Sequence, residues 1–279
     1  MQGNAMGGSR YLMGPDRPAP HRAGIGRLAP LLLPAAGLAV LQAGPGITGF
    51  GPVRDALFPL LAGRGLAGHV ALTFDDGPDP GATPRFLDLL ASRGVRATFF
   101  LLGSQVMLAP RLAARIAAQG HEIGVHGWEH RYLPLRGPRA IRDDLARAAD
   151  IIADRTGARP WLFRPPYGVL SGPALAAAGG LGLTPVLWSA WGREWAPGAT
   201  PDSVYATLLR GLGDGATVLL HDSGALCPPG AWQAALGALG PLLDECERRD
   251  LRVGPLGEHG PWWRPGVRSA PPPTRPRPA

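Results

Sequence analysis

From residue 69 to about residue 256, short apolar runs alternate with amphipathic stretches, and no other feature restricts the fold of this chain so strongly. The runs cover residues 70–74, 97–101, 122–126, 161–164, 184–188, 216–221 and, more weakly, 251–253. The stretches between them have helical periodicity. Residues 84–93 carry Phe86, Leu87 and Leu90, and residues 110–119 begin on a proline and stop at Gly120. Residues 138–156 set Ile141, Leu145, Ala148, Ile151 and Ile152 on one face and stop at Gly157; residues 201–211 and 232–249 follow the same plan. Strand-like runs separated by helices build a parallel sheet with helices outside it. About seven such strands joined by right-handed crossovers predict an α/β fold, a distorted or incomplete (β/α) barrel with outer helices. In such a barrel the functional groups gather at the carboxyl ends of the strands.

Composition divides the 279 residues into one globular domain and two tails. The 41 glycines and 32 prolines crowd the first 68 positions and the last 20, which predicts a leader over residues 1–68, a domain over 69–258 and a disordered Pro/Arg-rich tail over 259–279. Residues 28–53 contain no charged side chain, and Arg10, Arg17, Arg22 and Arg27 against Asp16 precede them. That charge pattern suits a signal peptide or a membrane anchor, so membrane association or secretion is expected ahead of a cytoplasmic location. Pro30, Pro34 and Gly37 interrupt the segment, and its dense apolar part, residues 31–41, is shorter than the ~20 residues of a spanning helix.

All 28 basic residues are arginine, which excludes Schiff-base and pyridoxal phosphate chemistry and a lysine-bearing phosphate loop. The net charge of +7 is dispersed among acids, as in Arg142-Asp143-Asp144 and Asp154-Arg155, the pattern of a solvated helix face; no nucleic-acid partner is expected. Cys227 and Cys246 lack the spacing of a metal-binding pair, which leaves a buried thiol or a single disulfide both open. No repeat or heptad pattern indicates an oligomer.

Chemistry concentrates where the runs end. The first run closes in Asp75 and Asp76, followed by a Gly77-Pro78 break that must end the strand. Asp-Gly-Pro is also good material for a surface turn, and this stretch by itself does not choose between turn and site. His126 and His130 follow the third run at a spacing that stacks two imidazoles on one helical turn. With Asp76 they make a two-nitrogen, one-oxygen set that leaves positions open for water and substrate, the character of a catalytic zinc site. Arg164 and His221 close the fourth and sixth runs.

In Thr73-Phe74-Asp75-Asp76-Gly77-Pro78, His126-Gly127-Trp128-Glu129-His130, Arg164-Pro165-Pro166-Tyr167-Gly168 and Leu219-Leu220-His221, the chain resembles the polysaccharide deacetylases, the NodB-homology carbohydrate esterases. Four of that family's five motifs stand in order, and the resemblance covers about residues 69–256. It implies a distorted (β/α) barrel, a divalent metal that is usually zinc, and hydrolytic removal of acetyl from sugars. It further implies Asp75 as general base, Asp76, His126 and His130 as metal ligands, and Arg164 as the partner that orients Asp75. Tyr167 would offer its backbone N–H to the oxyanion, and His221 would be the general acid. Leu219 would line the acetyl slot, with Trp195 and Pro166 as further substrate contacts. Two departures stand out. Gly127 occupies a position usually held by serine or threonine. In Trp188-Ser189-Ala190-Trp191-Gly192-Arg193-Glu194-Trp195, Trp191 stands where a carboxylate partner for His221 is expected, leaving Asp222 or Glu194 to substitute.

The reading that results is a metal-dependent hydrolase acting on an acetylated glycan, with N-acetylhexosamine units as the expected substrate. An O-acetyl ester hydrolase or small-substrate amidase is the alternative within enzymes. A non-catalytic glycan-binding relative that retains the metal is the alternative outside them.

Overall fold

The computed structural model describes Gln42 and residues 44–260. The apolar run over residues 31–41 and the Pro/Arg-rich tail beyond residue 260 lie outside the described residues. Helices and strands alternate through the rest. Helix α1 (Gly51–Leu57) precedes β1 (His69–Asp75), α2 (Thr83–Ser92), β2 (Thr98–Leu101), α3 (Gly103–Leu108), α4 (Pro110–Ala118) and β3 (Glu122–Val125). Then come α5 (Pro138–Thr156), β4 (Leu162–Phe163), α6 (Gly172–Gly180), β5 (Thr184–Pro185) and β6 (Ala190–Trp191). Helix α7 (Pro201–Leu209), β7 (Thr217–His221), α8 (Ala231–Arg248) and β8 (Arg252–Gly254) complete the domain.

Seven parallel strands run in the order β5-β4-β3-β2-β1-β7-β6, and the short β8 pairs with the start of β1. The sheet curls into an incomplete barrel, as the alternation of runs predicts. One strand, β6, was not anticipated, and β4 and β5 are only two residues each. Their shortness follows from Pro165, Pro185 and the turns that flank them, since proline removes the ladder donor.

Every residue of β1 is buried, so no polar alternation marks its two faces, yet the faces are distinct. Val70, Leu72 and Phe74 join the large cluster packed beneath the helices, while Ala71 joins Phe100, Leu162, Val186 and Leu256 in the barrel interior. Side chains alternate along a strand, so Thr73 and Asp75 share the inward face with Ala71. The same parity turns Phe100 of β2 inward and Phe99 and Leu101 outward, and turns Val218 and Leu220 of β7 outward, leaving Leu219 and His221 inward. Gly124 makes room for this interior: a Cβ there would lie 2.5 Å from the Phe100 ring.

Residues 44–68 pack on the domain. Between β5 and β6 the chain crosses without a helix, and there Leu187 donates its N–H to Leu61 O at 2.8 Å and Arg54 Nη2 donates to Trp188 O at 2.7 Å. His259 is also integral, fully buried at the base of the barrel. Its Nε2 lies 2.9 Å from Gly63 O and 3.0 Å from Gly215 O, and its Nδ1 lies 2.7 Å from His69 Nδ1. Two carbonyls at Nε2 require the proton there, so His259 Nδ1 accepts from His69.

Candidate active site

Asp75 is the last residue of β1 on its inward face, and Asp76 turns out of the strand at φ 73°, a left-handed conformation that aspartate tolerates. Gly77 follows because only a hydrogen fits: a Cβ would lie 2.7 Å from both carboxylate oxygens of Asp222. The two adjacent carboxylates thus enter one cavity at the strand end, each with its own surroundings.

Arg164 fixes the first of them. It is fully buried, lies 4.1 Å over the Phe100 ring, and donates to Asp75 Oδ1 at 2.8 Å, to Thr73 Oγ1 at 2.7 Å and to Leu187 O at 2.8 Å. Such a held guanidinium gives Asp75 one orientation.

The second carboxylate faces the histidines. Asp76 Oδ1 lies 3.3 Å from His126 Nε2 and 3.7 Å from His130 Nε2, and ligand atoms of the three residues lie within 4.8 Å of one another. Oδ1 is buried with no hydrogen-bond partner. His126 Nδ1 donates to Arg164 O at 2.8 Å, which fixes the tautomer and leaves Nε2 with a lone pair aimed at the cluster. Three convergent donors around an orphaned carboxylate oxygen fit a divalent ion, with positions left over. Burial alone would raise the Asp76 pKa, but the His126 contact and the imidazoles of His221, His126 and His130 hold it down at about 2. Burial, together with His126, lowers that of His130 to about 4.

The histidine pair is not carried on a helical turn, contrary to the spacing argument. It lies in the loop after β3, which Gly127 bends at φ 96° and Asp144 of α5 ties by accepting from Trp128 N at 2.8 Å. A Cβ at residue 127 would lie 3.1 Å from that same Asp144 oxygen, so glycine is the residue this turn accommodates.

His221 ends β7 opposite Asp75 in register. Its partner is Glu194, whose Oε1 accepts from His221 Nδ1 at 2.9 Å and from the His221 backbone N–H at 2.7 Å. Burial opposes the imidazolium, but the Glu194 hydrogen bond and charge outweigh it and raise the pKa to about 9. The missing carboxylate inferred from Trp191 is therefore supplied three residues later. Asp222 does not serve: it is buried, accepts from Thr83 Oγ1 at 2.5 Å, and is pushed by burial to about 7.

These groups share a cavity of about 390 Å³ whose walls include Tyr167, Trp191, Trp195, Leu219 and His221. Trp195 meets the His221 ring edge-on at 4.9 Å and Trp191 at 4.5 Å. Tyr167 sits at φ 61°, its ring 4.3 Å from His130, in the turn Pro166–Gly168. Pro166 itself is buried and is not among the cavity walls. Trp188, Leu226, Cys227 and Pro228 also line the cavity and were not anticipated. Trp188 approaches because Gly168 lacks a side chain, a Cβ there falling 2.5 Å from its ring. Residues 226–228 belong to the loop after His221, and strand-end position was the signal that could have found them. Both cysteines are free.

Residues 63–186 match the family model described as polysaccharide deacetylase. The chain is 36% identical over 215 residues to a chitooligosaccharide deacetylase of a Bradyrhizobium species, covering 71% of this chain and 96% of that protein. It is similar in structure to the Bc1960 peptidoglycan N-acetylglucosamine deacetylase, with TM-score 0.66 and 31% identity over 71% of this chain and 91% of that one. A pseudoenzyme of carbohydrate esterase family 4 from Bacillus anthracis is also similar, with TM-score 0.63 and 25% identity over 69% of this chain and 65% of that one. On the curled parallel barrel, the strand-end residues and these relatives, the chain belongs to the polysaccharide deacetylase family.

Proposed function

We propose that this protein is a metal-dependent hydrolase that removes acetyl groups from N-acetylhexosamine units of a glycan. The observation that carries the reading is the convergence, in one cavity, of an Arg164-anchored carboxylate, a Glu194-anchored imidazole and the cluster Asp76, His126 and His130. The two named deacetylases to which it is similar act on chitooligosaccharide and on N-acetylglucosamine of peptidoglycan, which supports an N-acetylated sugar as substrate.

Asp76, His126 and His130 would hold the ion, and zinc suits a set of two imidazoles and one carboxylate. When bound, such an ion acts as a Lewis acid on the acetyl carbonyl and on water. Asp75 accepts the proton of the attacking water at its free oxygen while Arg164 holds Oδ1. Tyr167 presents its N–H to the oxygen that gains charge. His221, kept as imidazolium by Glu194, delivers a proton from Nε2 to the departing amine nitrogen. Trp195 holds that imidazole edge-on, and Leu219 lines the slot for the methyl group.

A non-catalytic relative would not require a raised-pKa acid beside an oriented base. The doubt that Trp191 raised about His221 is met by Glu194. Acetate release from N-acetylated and O-acetylated oligosaccharides, using metal-stripped protein with and without added zinc, tests the proposal. Zinc-dependent release from N-acetylated members is the expected outcome. Release from O-acetylated members alone would replace it with an esterase, and no release from either with zinc bound would replace it with a binding protein.

A further inference from the structure

Strands β5 and β6 are consecutive in the chain but stand at opposite edges of the open sheet, and residues 186–189 cross between them. At the two ends of this crossing, Val186 N–H bonds to Phe163 O at 2.9 Å and Ser189 N–H to Thr217 O at 3.0 Å. Leu187 and Trp188, in the middle, belong to no strand. Backbone carbonyls removed from water must still find donors, and here two arginines supply them. Arg164 Nη2 donates to Leu187 O at 2.8 Å, and Arg54 Nη2 donates to Trp188 O at 2.7 Å.

Arg54 does more than meet that carbonyl. It is 5% exposed, and its guanidinium lies 5.4 Å from the Trp188 ring, which Arg164 approaches to 5.7 Å. One side chain thus holds this residue at its backbone and at its indole. Trp188 is in turn a wall of the cavity and packs against Gly168, in the turn Pro166–Gly168 that carries Tyr167. The segment bearing Arg54 also reaches that turn directly: a Cβ on Gly49 would lie 3.7 Å from Val169 and 3.8 Å from Gly168 O. Arg54 precedes residues 63–186, which match the family model, so its support is not part of that match.

We propose that Arg54 is a positioning residue for the reaction, a role that rests on the hydrolysis read above. It fixes Trp188, and Trp188 fixes the Tyr167 turn and, through Leu187 O, the Arg164 guanidinium. A donor to the oxygen that gains charge counts in the transition state more than in the bound substrate. Losing Arg54 therefore lowers kcat and leaves KM nearly in place. A residue that only ties residues 44–68 to the domain would change the melting temperature and neither constant. Asp76, His126 and His130 come from the end of β1 and the loop after β3, so metal content should stay the same.

The full chain with zinc provides the test. Arg54→Met should lower kcat on an N-acetylated oligosaccharide by at least about tenfold, with KM changed less than about threefold and zinc content unchanged. Arg54→Lys, which keeps the charge and one donor, should recover at least about threefold of that loss. Hydrogen exchange read by mass spectrometry needs no turnover. It should speed up in Arg54→Met over residues 164–170 and 184–190 and stay the same over α5. If Arg54→Met does not fold, Arg54→Gln takes its place with the same expected directions. A wild-type kcat in the variant, or a loss carried by KM alone, overturns the proposal. Exchange that is unchanged over residues 164–170, or raised equally across the domain, does so too. No acetate release by the wild-type chain would instead overturn the hydrolysis, and exchange over residues 164–170 would still decide whether Arg54 holds the turn.

Discussion

Glu194 acts on His221 through a single oxygen that accepts both the backbone N–H and Nδ1–H, so its charge and its geometry arrive together. Glu194→Gln keeps the shape and removes the charge. The His221 pKa, now about 9, should fall, and the alkaline limb of the pH–rate profile should move down by at least about one pH unit. Turnover at pH 7.5 should drop by roughly 10- to 100-fold. A profile that stays in place would remove Glu194 from the positioning role. Asp75→Asn separates the two adjacent carboxylates in the same way. It should cost at least about 100-fold in turnover and leave bound metal, measured by elemental analysis, unchanged. Loss of metal in that variant would mean that the roles of Asp75 and Asp76 are exchanged. The types and order of these residues were legible in the chain, because strand ends concentrate polar groups after apolar runs. The link between residues 194 and 221 was not, since it exists only where β6 and β7 lie side by side.

At the scale of elements, the turn after β6 is as demanding as the side chains it carries. A Cβ on Gly192 would lie 2.7 Å from Glu194 Oε2 and 2.7 Å from Leu220 Cδ2, with Arg193 next to it at φ 57°. Gly192→Ala should therefore push Glu194 away from His221. We expect a loss of about 1–3 kcal/mol in chemical denaturation together with the same downward move of the alkaline limb as in Glu194→Gln. A stability loss with an unmoved limb would show that the turn is only a packing constraint. The longer helices declare themselves in sequence: α5 starts on Pro138, buries Ile141, Leu145, Ala148 and Ile152, and stops at Gly157 at φ 70°. Elements of two residues do not, because β6 has too few positions to display any period, and α6, rich in alanine and glycine, has almost no polar face to contrast with an apolar one. The His126–His130 loop misled for a related reason: an i, i+4 spacing is equally available to a bend built on glycine.

Across the whole molecule, the end of the barrel away from the cavity is closed by the His69–His259 contact, which ties the start of β1 to the last described turn. Burial, with His259 and Arg252 nearby, lowers the His69 pKa to about 3, and burial with Arg96 lowers that of His121 to about 4. An imidazole whose folded-state pKa is depressed stays neutral in the native state and takes up a proton on unfolding. Its contribution is complete above the unfolded value near 6.5 and is lost as pH falls toward the folded value. The melting temperature should therefore fall steadily between pH 6.5 and 4, and His69→Asn should show a shallower fall over that window. An equal slope in the variant would assign the acid sensitivity to other groups. By itself the sequence determined the α/β class, the approximate number of strands and the residues that end them, because hydrophobic periodicity and chain breaks are local properties. Only the tertiary structure decided which face of each buried strand looks inward, that Glu194 rather than Asp222 partners His221, and that residues 44–68 and His259 belong to the folded domain. Those outcomes depend on contacts between residues far apart in the chain, and a strand buried on both faces carries no local mark of which side meets the site.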